Sequence, residues 1–364
     1  MASNSFGTRL RITTWGESHG PAIGVIIDGV PAGIAITETE INAALAARAP
    51  GNHPFTSPRK EADIASILSG VFSGHSTGAP ISIMINNRDA DSSQYDTIKD
   101  TYRPGHANFT YLKKYGTFDY RGGGRSSARE TACRVAAGAI AQKILATEKV
   151  VIVAYMKSIG TCDAVIPPSI DKVTQSKASS VLSCPDPDAT TQMIEALTAA
   201  KNDGDSLGGI IECQIHHCPA GLGDPVYEKI EAKLAAAMLS IPASKGFEIG
   251  MGFEAARLKG SEHNDGFMKK DGNTTPASNR AGGTLGGITT GEALIFRVAF
   301  KPTSSIKKPQ ASVTTSGEPT TYQLPSNARH DPCVAIRAIP IVEAMSALVL
   351  ADCLLLNNTA QVAS

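Results

Sequence analysis

The residues best suited to chemistry form a glycine- and arginine-rich run, RGGGRSSARET at 121–131. Three consecutive glycines let the backbone approach a ligand closely. Ser127 and Glu130 have the spacing of a capping box, which predicts a helix N-terminus with free N–H groups. Three guanidinium groups suited to phosphate or carboxylate lie in the same run, at Arg121, Arg125 and Arg129. The run predicts an anion-binding loop; a capped helix with solvated arginines is the alternative.

Three short turns each carry a histidine outside the periodic segments. They are GESHG at 16–20, RPGHA at 103–107 and RHDP at 329–332. Each one alone is more often a structural turn than a catalytic one. Together with the glycine-rich loop, they favour a polar active site that contains general acid–base groups.

Two further segments add possible anion contacts. KPTSS at 301–305 combines a cation with hydroxyl groups, and GGTLGG at 282–287 is a second glycine-rich loop. The second loop lacks the spacing of a Rossmann fingerprint, and the chain has no G-x-x-x-x-G-K-[ST] motif, which argues against a nucleotide-hydrolysing P-loop. A small, multiply anionic substrate is predicted, with a phosphate-bearing cofactor such as flavin mononucleotide (FMN). The reaction does not follow from these residues.

Cysteine and histidine are common metal ligands, and two of each lie close together in the chain, at Cys213, His216, His217 and Cys218. Side chains alternate along a strand, so these four would divide between two faces. A tetrahedral zinc site would need a bend in the strand, and we therefore predict no metal.

Composition narrows the class of protein. The chain has 364 residues, and its 34 Lys and Arg balance 34 Asp and Glu, so neither nucleic acid nor a membrane surface is an expected partner. Seven cysteines without a C-x-x-C pattern predict buried free thiols in a reducing compartment. The N-terminus shows no apolar leader, and the apolar tract 339–356 contains Glu343 and Asp352. A soluble cytoplasmic protein is expected.

Hydrophobic patterning predicts mixed α and β structure. Strands are predicted within 23–36 (two, broken at a Gly-Val-Pro-Ala-Gly turn), 62–86, 150–159, 207–218 and 292–300. Helices are predicted from a Thr37–Glu40 capping box to Arg48, and at 127–147, 189–202, 225–239 and from Pro340 to Leu356. Segments 87–125, 259–287 and 301–333 are predicted to be irregular. Because strands and helices do not alternate strictly, an α+β fold with largely antiparallel sheets is expected.

The motifs together resemble those of chorismate synthases. The resemblance rests on GESHG at 16–20, RPGHA at 103–107, YRGGGRSSARET at 120–131, GDSLGG at 204–209, KPTSS at 301–305 and RHDPC at 329–333. It spans nearly the whole chain and implies one domain, residues 1–364, with a β-α-β sandwich of sheets around helices.

The activity implied by the resemblance is the last common step of the shikimate pathway. 5-Enolpyruvylshikimate 3-phosphate loses phosphate and a ring proton in an anti-1,4-elimination, giving chorismate. Reduced FMN is required although there is no net redox change. A homotetramer is implied, with an external flavin reductase and with NADPH as an indirect reductant.

The resemblance also implies site residues. His19 is the expected general acid toward the departing phosphate, His106 protonates the reduced flavin, and Asp331 helps to accept the ring proton. Ser18 and Ser127 support this proton relay. The residues expected to hold FMN are Arg125, Ser126, Ser127, Pro242, Ala243, Gly286, Lys301, Pro302, Thr303, Ser304, Ser305 and Arg329. The substrate's phosphate and carboxylates, or NADP, are expected to contact Arg48, Arg129 and Arg329.

Some positions depart from the family's pattern, and other functions stay open. Pro54, beside His53, stands where a second Arg is common, and the further departures are Asn108, Ala328 and Pro242. None of them is an expected acid or base. The alternatives are an FMN- or NADPH-linked flavin reductase or oxidoreductase, and a non-catalytic flavin- or phosphate-binding module.

Overall fold

The computed structural model describes residues 3–49, 55, 62–87, 98–270, 272–324 and 331–361. Two five-stranded antiparallel sheets form its frame. The first has the strand order β1-β2-β3-β7-β4 and the second the order β11-β16-β10-β8-β9. The strands of the first sheet are β1 (Ser5–Phe6), β2 (Arg11–Gly16), β3 (Ala22–Asp28), β4 (Ala65–Ser69) and β7 (Ile81–Asn86). Those of the second are β8 (Val151–Ile159), β9 (Cys162–Asp163), β10 (Gly209–His216), β11 (Ser244–Ile249) and β16 (Leu294–Phe300).

Four helices fill the space between the sheets. They are α1 (Glu38–Arg48), α3 (Thr131–Leu145), α6 (Ile230–Leu239) and α8 (Ala335–Asn357). α1 and α3 pack on the first sheet, α6 and α8 pack on the second, and α3 runs along α8. Gly138 permits this close helix contact, since a Cβ there would lie 2.6 Å from Cα of Ala344. The predicted sandwich of antiparallel sheets around helices is confirmed.

Alternation of apolar residues explains why each sheet buries one face. In β3, Ile23, Val25 and Ile27 are fully buried, as every second residue of a half-buried strand should be. The inward faces of both sheets and the helices between them belong to one continuous apolar cluster. The site described below therefore stands on a rigid core.

The remaining elements connect or flank these layers. The helices are α2 (Asn108–Tyr115), α4 (Ile170–Ser179), α5 (Pro187–Asn202) and α7 (Gly260–His263). Short strand pairs are β5 (Val71–Phe72) with β6 (His75–Ser76), β12 (Phe267–Lys270) with β13 (Asn273–Pro276), β14 (Thr284–Leu285) with β15 (Ile288–Thr289), and β17 (Gln310–Val313) with β18 (Pro319–Tyr322). Short 3-10 turns occur at Gly124–Ser126, Ala128–Glu130, Ala146–Glu148 and Gly252–Arg257.

Local signals predicted some boundaries correctly and others wrongly. The Thr37–Glu40 capping box is present and opens α1. The second strand expected within 23–36 is absent; that segment makes only a single bridge, from Ala35 to His75. The final helix begins at Ala335, so Pro340 lies in its interior and not in its first turn. Burial of α8 in the apolar core compensates for the hydrogen bond that a proline cannot donate.

The irregular segments also hold more structure than their sequences indicate. The segment 87–125 contains α2, the segment 259–287 contains α7, the β12–β13 hairpin and strand β14, and the segment 301–333 contains the β17–β18 hairpin. The link after β8 contains α4. These elements are short and polar, so their apolar periodicity is weak.

α8 is long and apolar enough to cross a membrane by length and composition alone. However, 72% of its most apolar 18-residue window is buried inside the protein. A helix enclosed by a core is apolar on all sides for the same reason as a membrane helix. All seven cysteines are free and none is fully exposed, which confirms the expected free thiols.

Candidate active site

The glycine-rich loop separates two of the predicted catalytic histidines. A Cβ on Gly122 would lie 2.2 Å from Cδ2 of His19 and 2.8 Å from Oγ of Ser18. A Cβ on Gly123 would lie 3.2 Å from Cε1 of His106. Both glycines have positive φ, +62° and +87°. The loop therefore brings two distant histidine turns onto neighbouring residues, and it can do so only without side chains.

A cavity of about 580 Å³ opens beside His106. This volume lies within the roughly 300–1,000 Å³ usual for ligand pockets. The predicted site residues that line it are His106, Arg125, Ser126, Pro242, Ala243, Lys301 and Ser304. The structure thus gathers seven residues from four separated segments around one cavity.

Arg125 is held against β2 on one wall of this cavity. Its guanidinium donates to Oγ1 of Thr14 (2.8 Å), to the carbonyl of Gly16 (3.2 Å) and to Oδ1 of Asn4 (3.0 Å). These acceptors are neutral, so the positive charge of Arg125 is not cancelled by them. The wall suits an anionic group.

Lys301 and Ser304 also line the cavity. Nζ of Lys301 donates to the carbonyl of Gly105 (2.8 Å) and to Oγ of Ser304 (2.9 Å). The backbone N–H of Lys301 donates to the carbonyl of Ala243 at 3.0 Å, joining the end of β16 to the turn before β11. Ala243 has φ +69°, an unusual conformation for a residue with a Cβ. Such backbone strain is frequent at functional sites.

His106 is partly buried and lines the same cavity. Burial, followed by the positive charges of Arg103 and Lys301, lowers the pKa of His106 to about 3. The imidazole is therefore neutral in the protein alone at neutral pH. Among the described residues, no hydrogen-bond partner reaches its buried Nδ1 atom. A polar ligand in the cavity would complete this site.

The loop that carries His106 is fixed by side chains behind it. Nε of Arg103 donates to the hydroxyl of Tyr322 (3.2 Å), and its Nη2 donates to Oγ of Ser305 (3.1 Å). The Asn108 side chain accepts from the N–H of Arg103 (3.1 Å) and donates to the carbonyl of Thr101 (3.0 Å). An acid at position 108 could not donate this second bond when ionised. The departure at Asn108 therefore helps to hold the loop.

His19 and Ser18 lie on the other side of Gly122. Oγ of Ser18 donates to the carbonyl of Arg121 at 3.4 Å. Arg121 forms an exposed ion pair with Asp119, at 2.9 Å. Although burial opposes the shift, hydrogen bonds from Arg121 lower the pKa of Asp119, with a smaller contribution from His19. Arg121 thus points to Asp119 and does not line the cavity beside His106.

Arg48 and Arg129 lie together around the buried carboxylate of Asp63. Nη1 of Arg48 lies 3.1 Å from Oδ2 of Asp63, and Arg129 pairs with Oδ1 of the same group. Arg48 also donates to Oγ1 of Thr131 (3.2 Å) and to the carbonyl of Ala128 (2.6 Å). Burial, then the charge of Arg337, lowers the pKa of Arg48 to about 10. Two expected substrate-binding cations therefore share one counter-ion.

Asp331 lies beside this group, and sequence reasoning missed its partner. Nη1 of Arg337 lies 3.1 Å from Oδ2 of Asp331. A small cavity of about 30 Å³ is lined by both residues together with Arg48 and Thr131. Arg337 is the one charged residue in the first two turns of the otherwise apolar α8, and this isolated charge is the feature of the sequence that could have indicated a buried ion pair. Asp63 and Tyr322 offered no comparable signal.

Other predicted residues lie elsewhere. Oγ of Ser127 accepts from the N–H of Arg129, so Ser127 caps a 3-10 turn, while the carboxylate of Glu130 binds Arg134. The predicted capping box is therefore wrong, because Glu130 has a closer cationic partner. Gly286 lies in the β14–β15 hairpin. Of the described residues expected to hold FMN, those that do not line the large cavity are Ser127, Gly286, Pro302, Thr303 and Ser305. Of the expected catalytic and substrate-binding residues, those that do not line it are Ser18, His19, Arg48, Arg129 and Asp331.

Five positions of interest fall in the parts of the chain that the structure leaves undescribed. Arg329, expected to hold both FMN and substrate, is one of them, and His330, the histidine of the third predicted turn, is another. The others are His53, Pro54 and Ala328.

The rejected metal site does not assemble. Sγ of Cys213 faces Oγ of Ser346 on α8, whereas Nε2 of His216 lies 3.1 Å from Oε1 of Gln214. Within the described ranges, no three His, Cys, Asp or Glu side chains are grouped as metal ligands.

Comparison with known proteins supports one family. The chorismate synthase family model matches residues 10–355. The chain is 56% identical to chorismate synthase from Protochlamydia amoebophila, over 99% of this chain and 100% of that protein. It is 50% identical to chorismate synthase from Methanosarcina mazei, over 97% and 96% of the two chains. A crystal structure of chorismate synthase has a TM-score of 0.77 and 33% identity, covering 97% of this chain and 93% of that one.

The family match spans both sheets apart from β1, nearly all of the helices between them and every described motif of the site. The chain belongs to the chorismate synthase family.

Proposed function

We propose that this protein converts 5-enolpyruvylshikimate 3-phosphate to chorismate by an anti-1,4-elimination that requires reduced FMN. The observation that carries the proposal is the Gly122–Gly123 pair, which holds His19 on one side and His106 on the other. The His106 side opens into a cavity with uncancelled positive charge at Arg125. A site of this kind fits an anionic cofactor and an anionic substrate that react with each other.

Two observations support binding of FMN in the large cavity. Its walls offer a guanidinium, an ammonium and hydroxyl groups, from Arg125, Lys301, Ser126 and Ser304. The buried Nδ1 of His106 lacks a partner that a polar ligand could supply. Bound there, reduced FMN would supply electron density to the allylic system as phosphate leaves.

His19 and the arginines act on the substrate. In the elimination the C–O bond to phosphate breaks, a ring C–H bond breaks, and a new carbon–carbon double bond forms. His19 protonates the departing phosphate or holds its charge, with Ser18 beside it. Arg48 and Arg129 bind the phosphate and carboxylates, since fixed cations stabilise charge that develops in a transition state.

We assign the proton transfers to Asp331 and His106. Asp331 supports the relay that receives the ring proton. His106 is neutral in the protein alone, because burial and the neighbouring cations lower its pKa to about 3. An anionic ligand in the cavity would raise that pKa and allow His106 to hold a proton.

Assembly and flavin supply complete the proposal. We infer a cytoplasmic homotetramer with one domain per chain, as expected of this family. Reduced flavin would come from an external reductase, with NADPH as the indirect reductant.

The test is an anaerobic assay with 5-enolpyruvylshikimate 3-phosphate and chemically reduced FMN. Chorismate absorbance and phosphate release are followed together. Equal amounts of both, and neither with oxidised FMN, are expected. Asp331→Asn should bind FMN normally but turn over about 100-fold or more slowly, as loss of a proton-transfer group does.

Rapid NADPH oxidation without substrate, and no chorismate from a folded, flavin-binding protein, would instead establish the reductase alternative. Flavin binding with neither reaction would leave a non-catalytic binding module.

A further inference from the structure

Arg337 holds the carboxylate that the proposed mechanism uses as its proton relay. Nη1 of Arg337 lies 3.1 Å from Oδ2 of Asp331, and the two side chains are 19% and 11% exposed. At this burial an ion pair is screened little by solvent. The contact is therefore strong enough to orient the carboxylate.

The neighbouring arginines are already engaged. Arg48 and Arg129 both pair with Asp63, whose side chain is 1% exposed. The positive charge of Arg337 is close enough to Arg48 to lower that residue's pKa, although burial is the larger cause. Three guanidinium groups thus lie beside two carboxylates, and the contacts divide them: Asp63 serves Arg48 and Arg129, and Asp331 is paired with Arg337.

The base of Arg337 is rigid. It lies in the first turn of α8, where its N–H donates to the carbonyl of Val334 at 3.2 Å. The following residues Ala338 and Ile339 are buried in the core. Its Nε is buried and has no partner in the described part of the chain. The adjoining cavity of about 30 Å³ exceeds the roughly 10–15 Å³ that one water requires, so water can satisfy Nε there.

We propose that Arg337 is a positioning residue for the elimination, which fixes the orientation of the Asp331 carboxylate. The inference rests on the proposed function, because it gives Arg337 no role apart from Asp331. A guanidinium anchored in the helix layer would keep the carboxylate ready to support proton removal in each turnover.

A double-mutant cycle between the two residues tests this. The variants are Arg337→Met, Arg337→Lys, Asp331→Asn and the double variant Arg337→Met/Asp331→Asn, assayed anaerobically with reduced FMN. Arg337→Met should lower kcat about 10–100-fold, the usual cost of removing a residue that orients a reacting group, with little change in KM. Arg337→Lys should recover part of kcat. The double variant should be no slower than Asp331→Asn, because the two residues act as one unit.

Lys177→Met is the matched control. It likewise removes the cation of an ion pair that involves α8. Its partner Glu343 lies on α8, and the exposure of the two side chains is similar, 21% and 20%. Stability should fall in both variants, but kcat should fall only in Arg337→Met.

The outcomes are distinct. Absence of chorismate with the unmodified protein overturns the proposed function and this inference with it. Chorismate formation by the unmodified protein together with independent, multiplicative effects in the cycle overturns only the role of Arg337. A rise in KM with unchanged kcat would also overturn it, since Arg337 would then bind substrate directly.

Discussion

Gly122 offers the sharpest test of how the loop positions His19. In Gly122→Ala, the new Cβ would lie 2.2 Å from Cδ2 and 2.4 Å from Nε2 of His19. These distances are too short for any side chain to tolerate. The atoms met are the ends of the His19 and Ser18 side chains, not backbone, so the protein can fold by displacing them.

The change has two separable costs. Residue 122 has φ +62°, and an ordinary residue in that left-handed conformation loses roughly 1–2 kcal/mol. For a chain of this size that corresponds to a fall of about 1–3 °C in the thermal midpoint. Displacement of His19 removes a proposed general acid, which costs about 10²–10⁴-fold in turnover.

Gly116→Ala separates the two costs. Gly116 has φ +71° at the C-terminus of α2, and a Cβ there would meet nothing within 4 Å. Both variants should therefore lose similar thermal stability, but only Gly122→Ala should lose turnover. The measurements are thermal unfolding and anaerobic chorismate formation with reduced FMN.

Equal turnover in Gly122→Ala and Gly116→Ala would refute the reasoning. It would mean that the position of His19 against the loop has no part in the reaction. Loss of folded protein in Gly122→Ala alone would instead show that the backbone, and not the histidine, yields to the added Cβ.

Three further predictions follow from single side chains. The pKa of His106 is about 3 in the folded protein, against 6.5 for an ordinary histidine, so the unfolded chain binds a proton at a higher pH than the folded protein does. The free energy of unfolding should therefore fall as the pH drops from 6.5 toward 3. In urea unfolding, His106→Asn should lose less stability than the unmodified protein between pH 7 and about pH 5. Arg129→Ala should raise KM for substrate about 10–100-fold, because a charged contact to the substrate is lost. The circular dichroism spectrum should not change, because Arg48 still neutralises Asp63. An unchanged KM would contradict the role of Arg129 in substrate binding. Asp352→Asn should cost about 2 kcal/mol of unfolding free energy, because the buried carboxylate accepts from the N–H groups of Thr8, Arg9 and Leu10 at 3.1, 2.7 and 3.0 Å. Urea unfolding of that variant at the same midpoint as the unmodified protein would show that these bonds contribute nothing.

Much of the fold could be predicted because its signals are local. The alternation of Ile23, Val25 and Ile27 depends only on the two-residue period of a strand, and the Thr37–Glu40 box only on hydrogen bonds within one turn. The start of α8 could not be placed in this way. Proline is most common in the first turn of a helix. Pro340 instead lies inside α8, where burial of the helix between the sheets stabilises it.

In the candidate site too, the sequence predicted some features and not others. Sequence motifs located the residues around the large cavity, because a ligand-binding loop needs glycines, cations and hydroxyl groups in one short run. Arg121, Arg125 and Arg129 come from a single run, yet they contact three different partners: Asp119, the end of β2, and Asp63. Spacing along the chain does not reveal in which direction each side chain leaves the loop.

The sequence patterning by itself therefore determined the mixed α and β structure and the set of groups available for chemistry. The family and the layered sandwich came from the resemblance of its motifs to a known family. The tertiary structure alone decided that Gly122 touches His19, that Asp63 joins Arg48 to Arg129, and that Arg337 holds Asp331. The physical reason is the distance along the chain over which each kind of interaction acts. Turns, caps and strand periodicity depend on neighbours within a few residues, whereas these contacts join distant segments whose approach is set by the packing of helices between two sheets.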